Sequence, residues 1–209
     1  ETYNKILAYS SIGQVGYIAM GFAIGNYYGL LGAVLHIVSH AFMKAGLFYT
    51  SGALKYKYGI HEITQLGQVY RSMPVTALAM VVCALSMIGL PPFAGFFSKW
   101  YLALGAVQNG QYLFVAVLIA SSLLSAIYFF RIFEQMFMAA RSAKTDAPAA
   151  DAPAEPAAPA EPAGRLHLEL PWQMLAPLLI VTAAIILLGL GNAYIAGEIL
   201  APALSEVTL

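Results

Sequence analysis

The sequence predicts an all-α, polytopic membrane helix bundle of about five transmembrane spans, one of them broken at Pro91-Pro92. Three observations predict it. Hydrophobic residues make up 60% of the 209 residues while charged residues make up only 10%, and the mean hydropathy is +0.74. Several apolar runs approach the length of about 20 residues that a helix needs to cross a bilayer. One of those runs is interrupted by "GLPPFAGFFSK", with paired prolines and glycines that fit a break. The formal net charge is zero, which gives no electrostatic reason for a nucleic-acid partner. The one cysteine, Cys83, lies in the run "ALAMVVCALSMIGL", excludes a disulfide within the chain, and reads as a small packing hydrophobe. The chain opens on "ETYNK" with no initiator Met or signal-like region, so it is expected to be the C-terminal part of a longer protein with further spans before it.

The first apolar segment covers about residues 6–25 and the second about 29–54. "KYKYGIHEITQLGQVYRS" follows as a polar loop. The next stretch, 74–108, is interrupted by "GLPPFAGFFSK", and a further one covers 112–138. The tract "AKTDAPAADAPAEPAAPAEPAG" has nothing to bury and reads as a disordered linker. A last segment covers about 174–191. The domain division is therefore 1–141, a transmembrane ion-translocating half; 142–168, a cytoplasmic linker; and 169–209, a C-terminal helix with its tail.

Residues 74–108 admit either two short spans joined by a turn or one span broken midway. Each half has about 17 residues, near the lower limit for crossing. Positive charge separates the alternatives. With Lys5 on one side, a single crossing of 74–108 puts Lys55, Lys57, Arg71, Arg131, Arg141, Lys144 and Arg165 on that same side, leaving "NYYG" and "NGQ" uncharged on the other. Two crossings would spread the charges evenly. The positive-inside rule favours the single broken span, with the basic side cytoplasmic, in a cell inner (plasma) membrane. Lipid cannot satisfy the backbone groups that a break exposes, so the break must face protein or a wet cavity. Proline and glycine at the break fit a kink, and such breaks place backbone dipoles at mid-membrane sites in transporters.

The stretch "LHIVSHAFMKAGLF" carries the candidate chemistry. His36, His40 and Lys44 recur every four residues, so they share one helix face. Imidazole titrates near neutrality and can accept at one nitrogen while donating from the other, as a proton relay requires. Three cations within about 12 Å repel one another, so they do not all carry charge together. Interhelical hydrogen bonding is the structural alternative. The His36/His40 spacing would also suit a metal, but no third carboxylate or thiolate ligand lies near, and no metal or other cofactor is expected. Lys99 lies eight residues from the break. An intramembrane lysine is a candidate functional group, with a snorkelling lysine beside Trp100 and Tyr101 as the alternative. Ser10, Ser11 and Gln14 in the first span could hold a water wire, although packing is the better reading for them. Arg131 and Glu134, one turn apart, read as an interfacial ion pair with a possible accessory role.

"KILAYSSIGQVGYIAMG", "GAVLHIVSHAFMKAGLFYTSG" and "LSMIGLPPFAGFFSKWYL" resemble the antiporter-like subunits shared by respiratory complex I, membrane-bound hydrogenases and Mrp-type cation/proton antiporters. The resemblance covers roughly residues 3–140, and "SKWYL" looks most like the Mrp D-subunit type. In that family a fourteen-helix subunit holds two inverted five-helix repeats, each with a broken helix and a proton path. This chain would supply the last five helices. The resemblance implies that His36, His40 and Lys44 belong to a central polar axis. It also implies that Lys99 is the broken-helix lysine coupled to ion movement and that Lys5 leads into the first helix.

Three functions follow as expectations: a subunit moving protons, with Na⁺ as a possible exchange ion; a proton-pumping subunit of a redox complex; or a membrane scaffold, which leaves the lysines unexplained. No cysteine cluster and no nucleotide-binding glycine loop occurs, so oxidoreductase activity would belong to an assembly with other membrane subunits.

Overall fold

The computed structural model describes residues 3–60, 62–137 and 169–205. Arg141, Lys144, Arg165 and the tract expected as a linker over 142–168 lie outside the described residues. The long helices are α1 (Tyr3–Ile24), α2 (Tyr27–Tyr58), α4 (Pro74–Ile88), α5 (Ala94–Gln108), α6 (Tyr112–Phe137) and α7 (Trp172–Leu190), and a short α3 (Val69–Ser72) follows a 3₁₀ helix at Ile63–Gln68. Helices α1, α2, α6 and α7 are each long and apolar enough to cross a membrane, and α4 is a shorter apolar helix. The chain is a multi-pass membrane helix bundle.

Two sets of contacts sort the helix ends. Asn26 caps α2 by accepting from Gly29 N at 2.8 Å, and its amide donates to Gly105 O at 2.8 Å and Asn109 Oδ1 at 3.1 Å. Asn109 in turn donates to Ile24 O at 2.6 Å. The α1–α2 turn and the α5–α6 turn therefore share one end of the bundle. At the opposite, basic end, Glu169 accepts from Val75 N at 2.6 Å and Thr76 N at 3.0 Å, capping α4, and Tyr70 of α3 packs on Phe137 at the close of α6. Residues 74–108 thus start at one end and finish at the other, which is one crossing in two pieces.

The pieces overlap in depth. A Cβ on Gly95 would fall on the Ser86 carbonyl, so the first turn of α5 lies beside the last turn of α4. With that overlap the two halves rise about 37 Å, close to the roughly 33 Å of α1. α4 stops at Gly89, whose φ of 94° lies in the left-handed region, and Gly89 N and Leu90 N both close onto Leu85 O at 3.1 Å.

α2 is the central helix, packed against α1, α4, α5 and α7. Lipid provides little hydrophobic drive between helices, so close backbone approach matters. At Gly32 a Cβ would lie 2.7 Å from Leu102 N and 3.0 Å from Ser98 O, so only glycine lets α2 and α5 meet there. A core of Leu7, Met43, Leu47, Met80, Met87 and Phe129 fills the basic half, while Ile119, Leu123, Ile127, Ile180 and Leu187 face outward.

Three expectations change in detail. α2 continues to Tyr58, so Lys55 and Lys57 form its last turn rather than a loop. The tail beyond residue 191 is helical in pieces to Ser205 and packs Ala196 and Leu204 on Leu31 and Leu35. Arg131 and Glu134 form no ion pair among the described residues. Both are exposed on the outer face of α6, beside Ile127 and Phe130.

Candidate functional site

The four-residue spacing on α2 does place His36, His40 and Lys44 on one face, and that face points into the bundle toward α1 and α5. His36 is fully buried. Its Nε2 lies 3.0 Å from Gln14 Oε1 on α1, and its Nδ1 lies 2.8 Å from Ser98 Oγ on α5. The His40 ring stacks on the His36 ring at 6.2 Å with an interplanar angle of 4°, and its own Nε2 is buried without a hydrogen bond. One turn further, Lys44 Nζ donates to Ser10 Oγ at 2.6 Å and to Leu7 O.

The surroundings of His36 suit both of its protonation states. A neutral ring donates from Nε2 to Gln14 and accepts at Nδ1 from the Ser98 hydroxyl. A protonated ring donates from both nitrogens, and Ser98 then turns its proton to Gly95 O, 3.1 Å away. One hydroxyl rotation satisfies either state without moving a heavy atom, so a proton can arrive and leave without stranding a buried donor.

Lys99 is 5% exposed, and its ammonium turns inward into the break. Its Nζ donates to Met87 O and Ile88 O, both at 2.9 Å, and to Ser122 Oγ at 3.2 Å. The turn at Gly89 leaves the two carbonyls free of intrahelical partners. They form the negative end of the α4 dipole, which favours a cation. Nζ also lies 4.8 Å over the Tyr17 ring, and that ring meets His36 edge-on at 5.4 Å. A snorkelling side chain would reach outward to the headgroups, and this one does not. The four principal candidates thus follow one another through the bundle: Lys44, the half-buried His40 one turn away, His36 and, across Tyr17 and Ser98, Lys99.

Of the accessory candidates, Gln14 joins this line directly. Ser11 donates to Leu7 O at 3.3 Å within α1, which is local back-bonding. Lys5 is exposed at the start of α1, and Arg131 and Glu134 stand on the far side of α6. The sequence reading missed Ser98, Tyr17, Ser122 and the carbonyls of Met87 and Ile88. The polar residues adjoining Lys99 and interrupting the apolar run of α6 were the available signal. Among the described residues no group of three His, Cys, Asp or Glu side chains comes together that could hold a metal ion.

Comparison with known proteins agrees with this architecture. The N subunit of the NADH-quinone oxidoreductase of Desulforudis audaxviator is 44% identical over 200 residues, covering 96% of this chain and 38% of that protein. The D subunit of the Na(+)/H(+) antiporter of Alkalihalophilus pseudofirmus is 36% identical over 135 residues, 65% of this chain and 27% of that protein. The chain therefore spans well under half the length of these curated relatives. Of the two, the N subunit is similar over more of the chain and at higher identity. Among solved structures, the Mrp complex from Dietzia sp. DQ12-45-1b superposes with a TM-score of 0.73 at 25% identity, covering 91% of this chain and 40% of that one. Respiratory complex I from Thermus thermophilus gives a TM-score of 0.74 at 24% identity, covering 94% and 37% respectively, a likeness of fold. Residues 2–125 match the family described as NADH:quinone oxidoreductase/Mrp antiporter, TM. The chain belongs to that NADH:quinone oxidoreductase/Mrp antiporter transmembrane family.

Proposed function

We propose that this chain is the proton-translocating part of a membrane subunit, passing protons along Lys44, His40, His36 and Lys99. The observation that carries this reading is Lys99. An intramembrane lysine costs about 3 kcal/mol on insertion scales, and here it sits on two carbonyls that only the helix break exposes. A fixed structural cation has no need of a titratable line leading to it. The subunit works with other membrane subunits in a bacterial-type inner or plasma membrane. The quinone-oxidoreductase kind of assembly is favoured by the 44% identity to an N subunit over 96% of the chain. A Na⁺/H⁺-exchanging assembly is the second reading, supported by the 36% identity to an antiporter D subunit. Co-purification with flavin and iron–sulfur subunits is expected for the first, and with small cation-antiporter subunits for the second.

The test is proton transport by the assembled complex in reconstituted vesicles. Lys99→Ala is expected to abolish transport while assembly persists, since removing a buried cation does not hinder insertion. Lys99→Arg is expected to fail as well, because arginine stays protonated at every working pH and cannot release its proton. Wild-type transport by the arginine variant would end the proposal that Lys99 cycles its charge.

A further inference from the structure

α6 walls the polar line on the side facing away from α2. It carries Ser121, Ser122, Ser125 and Tyr128 at i, i+1, i+4 and i+7, a single helix face. That face is turned inward, because Leu123, Leu124, Ile127 and Phe130 are the exposed residues of the same stretch and Ser125 is buried. α1 answers with Ser10, Gly13 and Tyr17 at i, i+3 and i+7. Ser121 Oγ would lie 3.8 Å from a Cβ on Gly13, and the Tyr17 hydroxyl meets Ser122 Oγ at 3.4 Å. The Tyr128 hydroxyl lies against Ser125 and Ser10 without a well-formed hydrogen bond to either.

A lysine stands at each end of this seam. Lys99 Nζ donates to Ser122 Oγ at 3.2 Å, and Lys44 Nζ donates to Ser10 Oγ at 2.6 Å. Close packing of α1 and α6 needs small side chains but not hydroxyls. A buried hydroxyl without a partner costs about 1–3 kcal/mol, which phenylalanine at position 128 would avoid. Tyrosine there therefore points to a hydrogen-bonded role that packing does not supply.

We propose that the hydroxyl seam of Ser10, Tyr128, Ser125 and Ser122 is a second proton connection between Lys44 and Lys99, parallel to the histidine line and bypassing His36 and His40. The proposal rests on the proton-transport reading above. A proton leaves the Lys44 ammonium for Ser10 Oγ, whose own proton turns from Leu7 O, 2.9 Å away, toward the Tyr128 oxygen, just as the Ser125 hydroxyl must turn from Ser121 O at 3.0 Å. The sequence repeats through Ser125 and Ser122, and a neutral Lys99 Nζ accepts the last proton. Each hydroxyl gains one proton and gives up one, so only the directions of the O–H bonds change, and rotation resets them. Hydroxyls one helix turn apart lie beyond direct hydrogen-bond reach, so this route requires a water between them, which can both donate and accept.

The experiment is a double-mutant cycle on the full-length protein in its assembled complex, with vesicle proton transport normalised to assembly. With parallel routes, His40→Ala is expected to lower transport about threefold, Tyr128→Phe less than about twofold, and the pair more than about thirtyfold, far beyond the product of the single effects. Separate structural damage would multiply without exceeding that product. Ser125→Ala in place of Tyr128→Phe is expected to reproduce the excess. If Tyr128→Phe and Ser125→Ala change nothing in either background, or if His40→Ala alone abolishes transport, the seam is no bypass. Those results leave the Lys99 requirement standing, whereas full transport by Lys99→Ala would remove the proton-transport reading and the seam with it.

Discussion

At the scale of single residues, His36 shows how a titratable group can be buried without being locked in one charge state. Gln14 supplies an acceptor for Nε2, and Ser98 supplies a hydroxyl that can face either Nδ1 or Gly95 O. Gln14→Leu leaves a buried ring N–H without an acceptor. It is expected to destabilise the protein by about 1–3 kcal/mol, measured by thermal or denaturant unfolding in detergent. Ser98→Ala removes the hydroxyl that lets both states coexist. Its expected signature is slowed proton transport with assembly retained, and Ser98→Thr, which restores a hydroxyl, is expected to recover transport in part. Loss of assembly in Ser98→Ala with normal specific transport would mean that the hydroxyl only packs.

At the scale of elements, the break is a meeting of two helix ends around one ammonium. Gly89 adopts a φ of 94°, and a Cβ there would approach Lys99 Cδ to 2.9 Å. Gly89→Ala is therefore strained at the backbone by about 1 kcal/mol and pushes on the lysine stem. The expected result is a modest loss of thermal stability and a larger loss of transport; unchanged transport would show that Lys99 tolerates displacement. Much of this element was legible in the sequence. "GLPPFAG" announced the break, four-residue spacing put His36, His40 and Lys44 on one face, and the distribution of Lys and Arg chose one crossing over two. What could not be read was which groups those side chains would meet. The His36 partners lie 22 and 62 residues away, so the contacts depend on how α1 and α5 dock on α2 through the Gly32 approach. Arg131 and Glu134 fail as a pair for the opposite reason: the one-turn spacing was right, but both side chains reach the outer surface of α6, where nothing holds them together.

At the scale of the whole molecule, the ends of the bundle differ in kind. Phe137 and Glu169, which flank the stretch outside the described residues, both belong to the end that holds Lys55, Lys57 and Arg71. A single cysteine placed between residues 145 and 163 is expected to react with a membrane-impermeant maleimide from the cytoplasmic side only. The native Cys83 is buried and gives little background. Labelling from the outside would reverse the orientation of the whole bundle.

The clasp of Asn26 and Asn109 at the other end has a consequence for biogenesis. α4 and α5 have 15 residues each, and neither is long enough to hold a place in the bilayer alone. During synthesis the α1–α2 hairpin emerges before α5 and carries Ile24 O and the Asn26 amide, the groups that Asn109 meets. Insertion of the broken span is therefore expected to depend on docking to these groups as well as on partitioning into lipid. Truncating Asn109 to alanine should therefore slow membrane integration of nascent chains that end after α5, while leaving integration of the isolated hairpin untouched.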